Sequence, residues 1–418
     1  MIRINISFVM LLSLLGWLLL MLVPYLSMRS FQQYSTMLAA GPPVIYQALG
    51  VSLFCGTVLL FSSRDFFNAI SLDKLGTTRS LFVVFCIYTG ILAFWSISPV
   101  TSMLFTILHL GVFGCFVVMW QRPEAVERFL PLLGFAVFAA LVMLGIHLGF
   151  RQRTFGFMPP NDIAKLAMVG SVFCAFGHKR TRLVGMLIGL AFILVTQSRG
   201  TLIAFGIFWG LLWFTGRFGV MKLTVLLGGT GVACMVLISD QILSDGRFFG
   251  GLLDSIFLLD DAERGLGSGL TGRLDHWIVA SQIISDNLLF GHGLRTRGPF
   301  TIDPISSPDF NAHSGYLNMI LDIGLVGSCI LLGLIIVNMV RRLREIWHGE
   351  GNERWRNQIA FSFLVAALFI WALEPIYINL GAPFSLVMLL QLASPLQARH
   401  RLLTQPDDQT DAEPLLVS

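Results

Sequence analysis

Apolar residues in this chain come in long blocks rather than at the intervals of an amphipathic helix. Twelve runs stand out: 6–28, 44–61, 80–97, 101–120, 129–149, 162–177, 184–197, 200–216, 220–238, 316–340, 358–374 and 380–396. Most approach the roughly 20 residues that an α-helix needs to cross a bilayer. The alternating ten-residue segments of a membrane barrel do not occur. The pattern predicts an all-α polytopic membrane protein with about 12 transmembrane helices. The first run is too long for a signal-peptide core and no small-x-small cleavage site follows it promptly, so it is expected to be a retained helix.

One stretch interrupts this regime. From Asp240 to Ser314 the chain is polar and holds ten of the 24 acidic residues. Inside it, Leu274, Trp277, Ile278, Ile284 and Leu288 recur at helical spacing, which predicts an amphipathic helix on the membrane or over a cavity. The expected organisation is therefore helices over 1–238, a large loop over 239–315 acting as a lid, further helices over 316–398, and a disordered tail over 399–418.

Composition agrees with the block pattern. The chain is 55% hydrophobic and 12% charged, with a mean hydropathy of +0.76, against about 25% charged residues in soluble domains. All six cysteines (Cys55, Cys86, Cys115, Cys174, Cys234 and Cys329) fall in apolar blocks and read as packing residues. Charge then orients the chain. Eighteen Lys and Arg residues fall in one alternating set of ends and connections, while the opposite short connections carry Arg29, Arg151, Arg153 and Arg199. By the positive-inside rule both termini are cytoplasmic and the 239–315 loop faces outward.

Basic residues on the outward side need a reason. Arg199 sits in the hinge Thr196-Gln197-Ser198-Arg199-Gly200, where a guanidinium beside free helix-start N–H groups suits an anion. Arg151 and Arg153 precede a turn-rich loop ending at Asn161, a candidate N-cap, and Lys165 can pair with Asp162. Glu374 and Asp322 are candidate partners for an arginine, and His109 and His147 read as packing histidines. Arg273 opens the predicted loop helix, and His313, at the junction with the tenth block, can exchange protons near neutral pH.

These pieces, in order, resemble the O-antigen ligase and O-antigen polymerase superfamily. Four blocks carry the resemblance: Gly156 to Asn161; Thr196 to Gly200; Thr271-Gly272-Arg273 with Trp277 and the run Asn287 to Gly293; and Ala312 to Leu317 with Gly324-Leu325-Val326-Gly327. Two departures are Leu288, where the family run usually has proline, and Ser314, where Asn often follows the histidine.

The resemblance implies a membrane glycosyltransferase of the bacterial inner membrane with a periplasmic active site. Its donor would be a glycan on undecaprenyl pyrophosphate. Its acceptor hydroxyl would belong to lipid A-core (a ligase of lipopolysaccharide biosynthesis) or to another lipid-linked repeat (a polymerase, as in exopolysaccharide biosynthesis). Arg199 and Arg273 would hold the pyrophosphate and His313 would activate the hydroxyl, with inversion at the anomeric carbon. Arg295, Arg297, Arg151, Arg153 and Asn161 would add phosphate or sugar contacts. No cofactor, metal or nucleic acid is called for. Membrane lipids and a chain-length regulator or flippase are the expected partners. The alternative class is a lipid-linked oligosaccharide flippase or another twelve-helix transporter, which should show repeat symmetry and midplane polar residues.

Overall fold

The computed structural model describes residues 6–23, 26, 42–70, 77–151, 154–155, 158–215, 273–295 and 312–396. The predicted span 220–238, most of the polar stretch, Cys234, Arg153, Arg297 and the tail lie outside the described residues, as do the side chains of Arg151 and Arg273.

The described chain is mostly helical. Its helices are α1 (Ile6–Leu20), α2 (Pro42–Ile70), α3 (Thr77–Leu92), α4 (Pro99–Met119), α5 (Pro123–Leu148), α6 (Pro160–Cys174), α7 (Lys179–Thr196), α8 (Arg199–Phe214), α9 (Arg273–Asp286), α10 (Gly315–His348), α11 (Gly351–Leu373) and α12 (Pro383–Ala393). Six of them contain segments long and apolar enough to cross a membrane: Ala48–Phe67, Thr78–Trp95, Pro99–Met119, Pro123–Leu148, Gly315–His348 and Gly351–Leu373. The protein is thus an all-α integral membrane protein. Between α5 and α6, the pairs Phe150↔Phe155 and Arg151↔Thr154 form a minimal antiparallel hairpin.

Boundaries differ from the apolar blocks in a way that matters. α2 continues to Ile70 through a kink at Ser62 (φ −148, ψ 34). α10 continues to His348, so Arg341, Arg342 and Arg344 are helical rather than part of a connection. Arg342 is 0% exposed, so it is a packed residue as well as a charge near a membrane face. Helix propensity of Arg and Glu, which is high, lets a helix run past the end of its apolar stretch.

α6 and α12 form the centre. Nearly every residue of both is buried, the pattern of a helix surrounded by other helices. α6 packs between α5 and α7, and α12 packs against α4, α6 and α11. Glycine permits close contact here: a Cβ at Gly134 of α5 would lie 2.5 Å from the Gly170 carbonyl of α6. Trp17 of α1 is fully buried over Gly50 of α2, so the first helix belongs to the packed bundle. Cys86, Cys115 and Cys174 are buried, whereas Cys329 is exposed on α10 and is not a core packing residue.

α10 is broken at Gly324, whose φ of 66° and ψ of −177° interrupt the helix. The segment after α9 fills the break. Leu325 and Val326 donate to the carbonyls of Leu288 and Leu289 at 2.8 and 3.2 Å. In return His292 and Gly293 donate to Leu321 and Asp322 at 2.9 and 2.7 Å. A Cβ at Gly324 would lie 2.3 Å from the Leu289 carbonyl, and one at Gly291 would lie 2.4 Å from the Gly324 nitrogen. Glycine at both positions is therefore a steric requirement. Unpaired backbone groups are costly in a bilayer, and here two segments with broken ladders satisfy each other.

Candidate active site

The site is built around the end of α11. After Leu373 the chain leaves the helix as Glu374-Pro375-Ile376-Tyr377, and this short stretch touches two distant parts of the sequence. On one side, Glu374 accepts from Asn161 Nδ2 at 2.8 Å and from Lys165 Nζ at 3.3 Å. Lys165 also pairs with Asp162 at 2.8 Å. Asn161 Oδ1 in turn accepts from the Ser198 hydroxyl at 2.9 Å, and that hydroxyl lies 3.0 Å from Thr201 Oγ1. Gly200 lies over Leu373, with room for a Cβ only at 3.2 Å from its side chain. The hinge that carries Arg199 is thus held by α6 and α11 together.

On the other side, the Pro375 carbonyl accepts from Asn318 Nδ2 at 3.3 Å, and Asn318 Oδ1 accepts from the Ala312 N–H at 3.2 Å. Gly315 rests on Trp371 and the Ile376 carbonyl, where a Cβ would be a tight fit at 3.0–3.1 Å. Asp322, buried in α10, accepts a hydrogen bond from the Tyr377 hydroxyl. These contacts fix the backbone on both sides of His313. One element therefore positions both Arg199 and His313.

Backbone strain marks the same region. Among the described residues, the non-glycine positions with positive φ are Gln197 (51°), Arg295 (62°) and His313 (47°). Each conformation costs on the order of 1–3 kcal/mol and persists only where the surroundings impose it, commonly at functional sites. Gln197 ends α7 two residues before Arg199, and Arg295 and His313 are themselves candidates from the sequence.

The sequence candidates divide as follows. Arg199 is the first residue of α8 and half-buried, where the unshared N–H groups of a helix start favour an anion. Arg273 begins α9 as expected. Arg295 is half-buried, with its guanidinium 5.5 Å from the centre of the Phe105 ring. His313 is half-buried at the mouth of α10, in ring contact with His276.

Asn161 is not an N-cap. Pro159 holds that position, and Pro160 takes the first helical place, where a missing N–H costs nothing. The side chain of Asn161 is instead free to bridge Glu374 and Ser198.

The loop helix also differs from its predicted face. α9 packs on α10 through Ala280 and Ile284 against Ala312 and Leu321, flanked by Val279 and Ile283. Ile278 and Leu288, counted on the apolar stripe, are 57% and 47% exposed. His109 is fully buried and its Nδ1 donates to the Phe105 carbonyl at 2.6 Å, but its Nε2 has no hydrogen-bond partner among the described residues. His147 is exposed at the end of α5 and does not pack.

The sequence offered Glu374 as a partner for an arginine, and the structure pairs it with Lys165. Its role as the shared anchor was hidden because Asn161 lies 213 positions away. The indole N–H groups of Trp277 and Trp371 are buried without a hydrogen-bond partner among the described residues. Both are donors in the elements that build the site.

A comparison with curated proteins finds no match. Residues 184–332 match the family described as O-Antigen ligase. That span includes Arg199, Arg273, Arg295, His313 and both halves of the Gly291–Gly324 clasp, while Asn161 and Glu374 lie outside it. The elements that bear most of the candidate groups, residues 184–332, are thus similar to the O-antigen ligase family.

Proposed function

We propose that this protein transfers a glycan from undecaprenyl pyrophosphate to an acceptor hydroxyl at the outer face of the bacterial inner membrane. The observation that carries the reading is the anchoring of Arg199 and His313 on one short stretch, Leu373 to Tyr377, within reach of the family domain. Glycosyl transfer from a lipid pyrophosphate needs two things together: a cationic place for the leaving group and a group that takes the acceptor's proton.

Arg199, with the start of α8, holds the pyrophosphate through charge-assisted hydrogen bonds. Arg273 and Arg295 add to this charge, and Arg151, Arg153 and Arg297 are further phosphate or sugar contacts in this reading. Asn161 keeps the hinge in register. The buried indole N–H groups of Trp277 and Trp371 are neutral donors for sugar or phosphate oxygens. His313 accepts the acceptor's proton as its oxygen bonds to the anomeric carbon and the bond to phosphate breaks, the electron pair leaving with the pyrophosphate. A single displacement of this kind inverts the anomeric centre. Pyrophosphate is already a good leaving group, so the step calls for no metal.

The topology that suits this chemistry has about 12 spans, cytoplasmic termini and the 239–315 stretch as an outward lid. Acceptors of either kind, lipid A-core or a second lipid-linked repeat, suit the same chemistry.

The break in α10 gives the transporter reading its one specific support, since carriers use discontinuous helices to bind ions. In this protein the backbone groups at the break are hydrogen-bonded to residues 288–293, which leaves them unavailable to a passing solute. The test is transfer in detergent, where transport has no meaning. The purified protein should move glycan from the lipid pyrophosphate, and Arg199→Ala should stop it. A purified protein that binds the lipid-linked glycan but never cleaves its phosphate bond would favour the flippase.

A further inference from the structure

We infer that His276 is a positioning residue for His313, an inference that rests on the glycosyl-transfer reading of this site. The two imidazole rings lie 5.1 Å apart between centroids, inclined at 68°, one from α9 and the other from the mouth of α10. Helix packing produces this meeting. Ala280 and Ile284 anchor α9 on Ala312 and Leu321. His276 lies four residues before Ala280, one turn along the same face, so the anchored helix delivers it to the junction.

The contact bears on the aim of the His313 ring. The backbone of His313 is fixed by buried neighbours: the Ala312 N–H is held by Asn318, and Ser314, also buried, is the N-cap of α10. The backbone fixes where the side chain starts but leaves rotation about χ1 and χ2. A group that takes a proton from a hydroxyl must aim one ring nitrogen at it, and a misaimed base loses much of its effect. The edge-to-face contact with His276 restricts the plane of the His313 ring. His276 is also the fourth residue of the helix that Arg273 begins. The candidate phosphate ligand and the base's partner therefore stand one turn apart on the same helix.

His276 does not take the acceptor's proton in this scheme. The proton passes from the acceptor oxygen to a nitrogen of His313, and His276 acts by holding that nitrogen in line. The contact has a structural alternative, in which His276 merely adjoins His313 at the surface.

A double-variant comparison on the detergent-purified protein separates the two, with the undecaprenyl-pyrophosphate glycan extracted from the source cells as donor. His276→Ala should lower kcat about tenfold with the donor KM within about twofold of wild type. His276→Phe, which keeps a ring in place, should recover most of the loss. In a His313→Ala background, whose residual transfer rests on pyrophosphate binding, His276→Ala should have no further effect. Wild-type kcat in His276→Ala, or losses that multiply in the double variant, would overturn the inference.

A second readout does not depend on turnover. Carbethoxylation of His313 by diethylpyrocarbonate, followed by mass spectrometry, should be faster in His276→Ala than in wild type. An unchanged rate would also overturn the inference. Failure of the wild-type protein to transfer glycan would instead strike the functional reading, with the modification rate still reporting on the ring contact.

Discussion

α10 carries a cluster of polar residues at each end, and the two are built on opposite principles. Towards its C-terminal end, Arg342 is fully enclosed. Its guanidinium donates to Asn338 Oδ1 at 2.6 Å, to Asn357 Oδ1 at 2.8 Å, and to the Gln391 carbonyl and Ser394 hydroxyl at 2.5 and 2.7 Å. Nearby, Arg356 pairs with Glu127 at 2.9 Å. At the N-terminal end His313 and His276 stand half-buried and exposed, and Arg199 is half-buried across the α11 anchor. The first arginine is saturated by protein and closed to water. The second group is held rigidly by its backbone while its side chains stay reachable. What separates the structural arginine from the candidate ligand-binding one here is access: the Arg342 side chain is enclosed, whereas Arg199 is half-buried at a helix start.

That contrast is breakable. The largest effect should come from Arg199→Ala, with transfer falling by a factor of about 100 or more as a charge-assisted phosphate contact is lost. The yield of folded protein after size-exclusion chromatography should stay at the wild-type level. Arg342→Ala should behave in the opposite way. It strands several buried acceptors, each costing about 1–3 kcal/mol, so the melting temperature in detergent should fall while activity per folded molecule is kept. Equal damage to both properties in either variant would erase the distinction between the two ends.

Gly324→Ala forces a methyl onto the Leu289 carbonyl and a left-handed φ on a non-glycine residue, so it should lower stability by about 1–3 kcal/mol and raise proteolysis after α9. The mildest change is expected for Asn161→Ala. It removes the bridge between Glu374 and Ser198, costing about 1 kcal/mol of stability, and transfer should drop several-fold because the Arg199 hinge is less well held. A variant as inactive as Arg199→Ala would mean that Asn161 touches substrate directly.

Much of this was legible in the chain, for identifiable reasons. Apolar blocks locate helices because burial and the bilayer make the same demand on composition. Arg199 and His313 stood out because charged or ionisable residues at the ends of apolar blocks are costly without a purpose, Arg273 because it opens the predicted loop helix, and Arg295 only through the family resemblance. Three things were not legible. Arg342 reads as a topogenic charge, since all its buried acceptors but Asn338 come from α11 and from α12 and its end, up to 52 positions away. The interlock of Gly291 with Gly324 joins two weak motifs through backbone geometry that single glycines do not reveal. His276 did not stand out because the apolar stripe read for α9 mixed a packed residue, Ile284, with the exposed Ile278. The small residue Ala280, rather than the large Ile278, marks the face that packs.

The clasp at Gly324 also orders biogenesis. Residues 288–293 leave the ribosome before 321–326, so the partner of the break already exists when the broken helix emerges. A tenth helix that entered the bilayer alone would expose the unpaired N–H groups of Leu325 and Val326 to lipid. The helix can therefore settle at its break only after residues 288–293 have folded back onto it. Maturation of the site and completion of α10 become a single late event in assembly.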